Sequence, residues 1–96
     1  MEERPLISII IPTHGKNQYL KSAIQSVKAQ TYRNIELIII DDASAAPEIV
    51  EDCIGGLSEI RVKHIRFDHT QGGAKARNVG ISLAEGLPPF KFWCLI

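Results

Sequence analysis

Ile35-Glu36-Leu37-Ile38-Ile39-Ile40-Asp41-Asp42 decides the fold. The run is short, rich in β-branched residues and nearly continuous rather than alternating, and it stops at two acids. That pattern suits a strand covered on both faces, as in a parallel α/β sheet. Leu6-Ile7-Ser8-Ile9-Ile10-Ile11, ending at Pro12, repeats it upstream. Between the two runs, Leu20, Ala23, Ile24 and Val27 recur at helical spacing within Gln18 to Gln30, with Asn17 placed to cap the start. Strand, helix and strand in this length make a βαβ unit with a right-handed crossover.

The same alternation continues toward the C-terminus. Pro47 suits the first turn of a helix through Ile49, Val50, Cys53 and Ile54, which Gly55-Gly56 ends. Ile60 to Phe67 reads as a third strand whose pattern slips, because Ile60 and Val62 share one face while Ile65 and Phe67 share the other. With Arg61, Lys63 and Arg66 interleaved, it is expected at a sheet edge, with a bulge at the slip. A third helix is expected from Gly73 to about Glu85, with Ala76, Gly80 and Ala84 forming a smooth stripe that lets it lie close to the sheet. Gly86 and Pro88-Pro89 turn the chain into a fourth strand, Phe90 to Ile96.

Ninety-six residues allow one small domain, and 45% apolar residues suffice for a packed core. Eleven basic and eleven acidic side chains leave a formal net charge of zero, so no nucleic acid partner is expected. The apolar runs are strand-sized, and Glu2-Glu3 stand where a signal peptide would be basic, so a cytoplasmic location is expected. Cys53 and Cys94 lack CxxC spacing and read as reduced, buried thiols.

In an open parallel sheet, ligands bind beyond the carboxyl ends of the strands. Pro12, Thr13, His14 and Gly15 lie at one such end, and Asp41, Asp42, Ala43 and Ser44 at another. Adjacent residues of an extended chain face opposite ways, so Asp41 and Asp42 do not readily grip one metal together. One of them can accept the N3–H of uracil or thymine, or the amino group of guanine; equally, the pair can cap the next helix with help from Ser44. Gln71 to Asn78 opens the third helix on Gly72-Gly73 and carries Lys75 and Arg77 where acids are usual. A bound diphosphate accounts for that inversion, and so does a surface basic pair beside an ordinary loop. His14 can stack on a base or bond a phosphate, whereas His64 and His69 read as structural. No HxxxH, CxxC or carboxylate cluster has metal-site spacing, and neither a GxGxxG nor a GK[ST] phosphate loop is present.

These residues resemble the opening of a family 2 glycosyltransferase, a GT-A fold. The resemblance rests on Ser8-Ile9-Ile10-Ile11-Pro12-Thr13-His14, on Leu20 followed by Ser26-Val27-Lys28-Ala29-Gln30-Thr31-Tyr32, on Glu36 through Ser44, and on Gly72-Gly73-Ala74-Lys75-Ala76-Arg77-Asn78-Val79-Gly80. Four motifs in order over residues 6 to 86 make it specific. It implies a Rossmann-like three-layer sandwich with strand order 3-2-1-4, the nucleotide-binding half of the fold. It also implies that Pro12, Thr13 and His14 line a nucleoside pocket, that one of Asp41 and Asp42 bonds the base and that Arg77 reaches toward the base or diphosphate, with Gln30, Thr31 and Tyr32 structural; the glycine-opened helix start adds Gly73 and Lys75 to this nucleotide-sugar site. A UDP-, dTDP- or GDP-sugar would be the donor, and a glycan or lipid the acceptor. Mg2+ or Mn2+ would serve the complete parent enzyme, which could sit peripherally on the inner face of the membrane.

The chain departs from the family in three places. Gly15 replaces the usual Asn, Ala45-Ala46 replaces Thr-Asp, and no carboxylate side chain follows Glu85, where an Asp-x-Asp metal motif is expected. Residues 1 to 96 therefore read as a partial GT-A domain with no catalytic residue and no metal site of its own, inactive alone. A non-catalytic nucleotide-binding or interaction module is the alternative, self-associating through the apolar side of the last strand, Trp93 included. A phospho-receiver domain would carry its acidic pair after the first strand instead of the second.

Overall fold

The computed structural model describes residues 5–14, 18–29, 31–57, 60–86 and 91–93, the last three and Gln18 by their backbone alone. The elements run β1 (Ile7–Thr13), α1 (Gln18–Lys28), β2 (Ile35–Asp41), α2 (Pro47–Gly55), β3 (Arg61–Arg66), α3 (Gly73–Leu83) and β4 (Lys91–Trp93). The sheet order is β3-β2-β1-β4, and all three pairings are parallel.

The two isoleucine-rich runs form the inner pair of strands, registered from Ile7↔Ile35 to Thr13↔Asp41. Alternate side chains feed two cores, as the pleat requires. Ile11, Leu37 and Ile39 pack with Leu20, Ile24 and Val27 of α1 and Val50 of α2. Ile10, Ile38 and Ile40 face Ala76 of α3. Every residue of β2 is buried, so a helical layer covers each face of the sheet.

β3 is the edge strand, and its expected bulge is absent. Register with β2 is unbroken from Glu36↔Arg61 to Asp41↔Arg66. The slipped pattern has another cause: Ile60 and Val62 complete the core under α1 and α2, whereas Ile65 and Phe67 complete the one under α3. Each half of a regular strand supplies a different layer.

α3 lies against the sheet through the expected small-residue stripe. A Cβ added to Gly80 would sit 2.3 Å from Cγ2 of Ile10, closer than any real contact. The helix stops at Leu83, two residues before the expected end. Ala84 turns extended, and the next two N–H groups go to the sheet: Glu85 N to Glu36 Oε2 (2.9 Å) and Gly86 N to Ser8 Oγ (2.9 Å). Tyr32 packs on the α1 side and donates its hydroxyl to the Pro5 carbonyl, in keeping with a structural part. Asn17, Gln30, Phe90 and the stretch from Cys94 to Ile96, together with the Trp93 side chain, lie outside the described residues.

Candidate functional site

Parallel register brings the carboxyl ends of β1, β2 and β3 to one rim, with the start of α3 beside them. Thr13 pairs with Asp41, which pairs with Arg66. Pro12 and Thr13 are buried at the tip of β1, and His14 is exposed just beyond. The Asp42 amide donates to the Thr13 carbonyl (2.8 Å), and the His14 ring bonds back to the Asp42 carbonyl through Nδ1 (2.8 Å). A carbonyl only accepts, so Nδ1 carries the hydrogen; in the neutral ring Nε2 is then the acceptor.

The two aspartates face separate partners. Asp41 is fully buried: Oδ1 accepts the Ser44 amide (2.8 Å) and Oδ2 the Arg66 guanidinium (2.6 Å). Arg66 also reaches the Ser44 carbonyl (3.0 Å). Asp42, 3% exposed, accepts the amides of Gln71 (2.7 Å) and Gly72 (2.9 Å). Neither carboxylate caps α2, whose N-cap is Ala46 with no side-chain bond. Asp42 instead anchors the loop that opens α3, where a helix start favours negative charge. Directly after them, Ala43 takes a left-handed backbone with φ of 56°.

The opening of α3 carries the remaining expected residues. Gly72 has φ of 94°, a conformation open to glycine and costly to other residues, and Gly73 is the first helical residue. Arg77 is half-buried and folds toward Gly73, where a Cβ would meet its Nη1 at 3.5 Å. Lys75 is exposed within the first turn of the helix. Pro12, Thr13, His14, Asp41 and Asp42 thus share one rim with Gly73, while Lys75 and Arg77 follow along α3. Arg66 and Gln71 belong to the same rim. In the sequence Arg66 is one of three interleaved edge-strand charges; its place opposite Asp41 follows from a register that only the folded sheet reveals.

A second polar cluster lies at the other end of the strands. The buried carboxylate of Glu36 takes the Ser8 hydroxyl (2.8 Å), the Glu85 amide and the Lys63 ammonium (2.6 Å). Lys63 also donates to the Leu83 carbonyl (2.9 Å). Burial pushes the Glu36 carboxyl up, but Lys63, the Glu85 N–H and Ser8 together outweigh it and hold it below its usual value. The bond to Glu36 raises Lys63 in turn. This cluster pins the end of α3 to the sheet, away from the rim.

Among the described residues, no group of three or more His, Cys, Asp or Glu gathers around one point. The Asp41 and Asp42 carboxylates already accept N–H donors from different elements, so the rim does not fit a divalent metal by itself. Cys53 is half-buried on α2. No helix among the described residues is long and apolar enough to cross a membrane.

Residues 8–93 match glycosyl transferase family 2. The chain is 40% identical over 86 residues to WcaA of Escherichia coli K12, provisionally named a colanic acid biosynthesis glycosyl transferase; the match covers 90% of this chain and 31% of WcaA. It is 35% identical over 81 residues to the Escherichia coli UDP-Glc:alpha-D-GlcNAc-diphosphoundecaprenol beta-1,3-glucosyltransferase WfaP, covering 84% and 32%. The mannosyltransferase PcManGT of Pyrobaculum calidifontis, solved with GDP-Man and Mn2+, superposes with a TM-score of 0.79 at 23% identity, over 88% of this chain and 26% of that one. The chain therefore spans about a third of the length of WcaA and of WfaP. Its parallel sheet, its two helical layers and the match across nearly its whole length make it a member of glycosyl transferase family 2.

Proposed function

We propose that this chain is the nucleotide-sugar-binding part of a glycosyltransferase whose full length moves a sugar from an NDP-sugar to a glycan or lipid acceptor. The observation that carries the reading is the Asp42 carboxylate, which ties the tip of β2 to the glycine-opened start of α3. That bond sets the strand tips beside a helix N-terminus suited to a diphosphate.

Pro12, Thr13 and His14 form the β1 side of the nucleoside site, and Asp41 and Asp42 its floor. Each Asp42 oxygen accepts one protein hydrogen bond and keeps a lone pair for a base N–H, whereas the fully buried Asp41 is closed in by Ser44 and Arg66 and supports it from below. Gly73 offers its amide, and Lys75 and Arg77 offer cationic donors, to the diphosphate. PcManGT holds Mn2+ with its donor, and the parent is proposed to use Mg2+ or Mn2+ likewise, with ligands from outside the described residues. WfaP is named for a diphosphoundecaprenol-linked acceptor, which supports a lipid-linked acceptor for the parent and work at the inner membrane face. The described residues hold no divalent-metal site to stabilise a leaving diphosphate, so the chain alone is proposed to bind without transferring.

Isothermal titration of the folded chain with UDP, dTDP and GDP tests this. Saturable heat with at least one of them, and none with ribose, is expected. A chain folded by circular dichroism that gives no heat with any of the three contradicts the proposal.

A further inference from the structure

We infer that Arg66 is a positioning residue for the ligand rim, clamping a strained turn so that Asp42 stays aimed at α3. The ligand-binding part of this inference rests on the nucleotide reading above; the positioning part does not.

The turn runs from Asp41 to Ser44. Its interior residue Ala43 has φ of 56°, a left-handed conformation that a side chain makes unfavourable and glycine does not. Such strain persists only where the surroundings over-determine the backbone. Three sets of bonds do so here. The Asp41 carboxylate closes on the Ser44 amide across the turn. The Thr13 carbonyl and the His14 ring hold the Asp42 backbone from β1. From β3, Arg66 donates Nη1 to Asp41 Oδ2 and Nη2 to the Ser44 carbonyl, spanning both ends of the turn at 2.6 and 3.0 Å.

Exposed ion pairs usually contribute little, but this one joins a half-exposed guanidinium to a carboxylate with 0% exposure. The planar fork places two donors on two acceptors at once, which a lysine ammonium does not reproduce. Asp42 sits between the clamped ends and accepts the Gln71 and Gly72 amides, one on each oxygen. Loosening the turn would therefore swing the bond that joins β2 to α3. Arg66 acts through Asp41, Ser44 and Asp42, not by touching the ligand.

This scheme makes an unusual demand: relieving the strain should replace the clamp. The Gln71 and Gly72 amide resonances report the Asp42 bonds, and titration with UDP and GDP reports the rim. R66M is expected to move both resonances and to weaken nucleotide binding by about tenfold or more. R66M/A43G, referenced to A43G, is expected to return the resonances and recover most of the affinity. R66K should fall between R66M and wild type. If R66M does not fold, R66M/A43G is expected to fold, and an unfolded double variant contradicts the inference. So do unmoved Gln71 and Gly72 resonances in folded R66M. A double variant whose resonances return while its binding stays lost would also overturn it, because Arg66 would then be a direct ligand contact. Wild type that binds neither UDP nor GDP removes the nucleotide reading and leaves the amide test of the clamp intact.

Discussion

The Asp42 carboxylate accepts the Gly72 amide at 2.9 Å, across 30 residues of sequence, and so joins the tip of β2 to the first turn of α3. Its other oxygen takes the Gln71 amide. An amide in place of the carboxylate keeps one acceptor but turns an NH2 group toward a backbone N–H. D42N is therefore expected to cost about 1–3 kcal/mol, the range for a buried donor left unsatisfied. Urea unfolding monitored by circular dichroism measures the loss, and titration with the nucleotide that wild type binds should show weaker heat.

Gly80 faces Ile10 with no room for a methyl group, the added Cβ falling 2.3 Å from Cγ2. G80A forces α3 away from β1, and overpacking of this kind costs about 1–3 kcal/mol. The shift in the urea midpoint gives the value. A G80A chain as stable as wild type would mean that α3 does not lie where described.

Glu36 ties acid stability to the far end of the sheet. Its folded carboxyl is held below the usual value of 4.5, so its contribution is complete above 4.5 and is lost as pH falls through the folded value. The E36Q variant is expected to be less stable than wild type at pH 7, with the gap closing below pH 4.5. Lys63 is shifted the other way, above 10.5, so its share is present through neutral pH and fades only as pH rises past that region. Unfolding free energies of both proteins from pH 3 to pH 8 test the sign.

Cys53 should be a slow thiol. Burial pushes it above its usual 9.0, with Asp52 adding to the rise and Lys21 opposing it. In a C94S background, which leaves one cysteine, reaction with a disulfide reagent at pH 8 is expected to be slower in the folded chain than in urea. Equal rates would mean that the thiol is freely exposed.

Local chemistry made much of this architecture readable in the sequence. The isoleucine runs could only be strands covered on both faces, and the small-residue stripe on α3 foretold the contact between Gly80 and Ile10. What could not be read depends on register. Arg66 becomes meaningful only when it pairs with Asp41, and Glu36, one charge within an apolar run, gains its purpose when Ser8 and Lys63 arrive from other strands. The slip in β3 looked like a bulge because a pattern cannot reveal that two layers share one strand. At the rim, sequence could name Asp41 and Asp42 but could not tell that one serves β3 and the other α3.

Amide resonances recorded while UDP or GDP is added to the folded chain show where a nucleotide sits. Perturbations are expected at Thr13, His14, Asp42, Gly73 and Arg77, with Glu36, Lys63 and Glu85 at the opposite end unmoved. Perturbations centred on that opposite end, or a spectrum unchanged at millimolar nucleotide, would contradict a nucleoside diphosphate site built from the two strand tips and the start of α3.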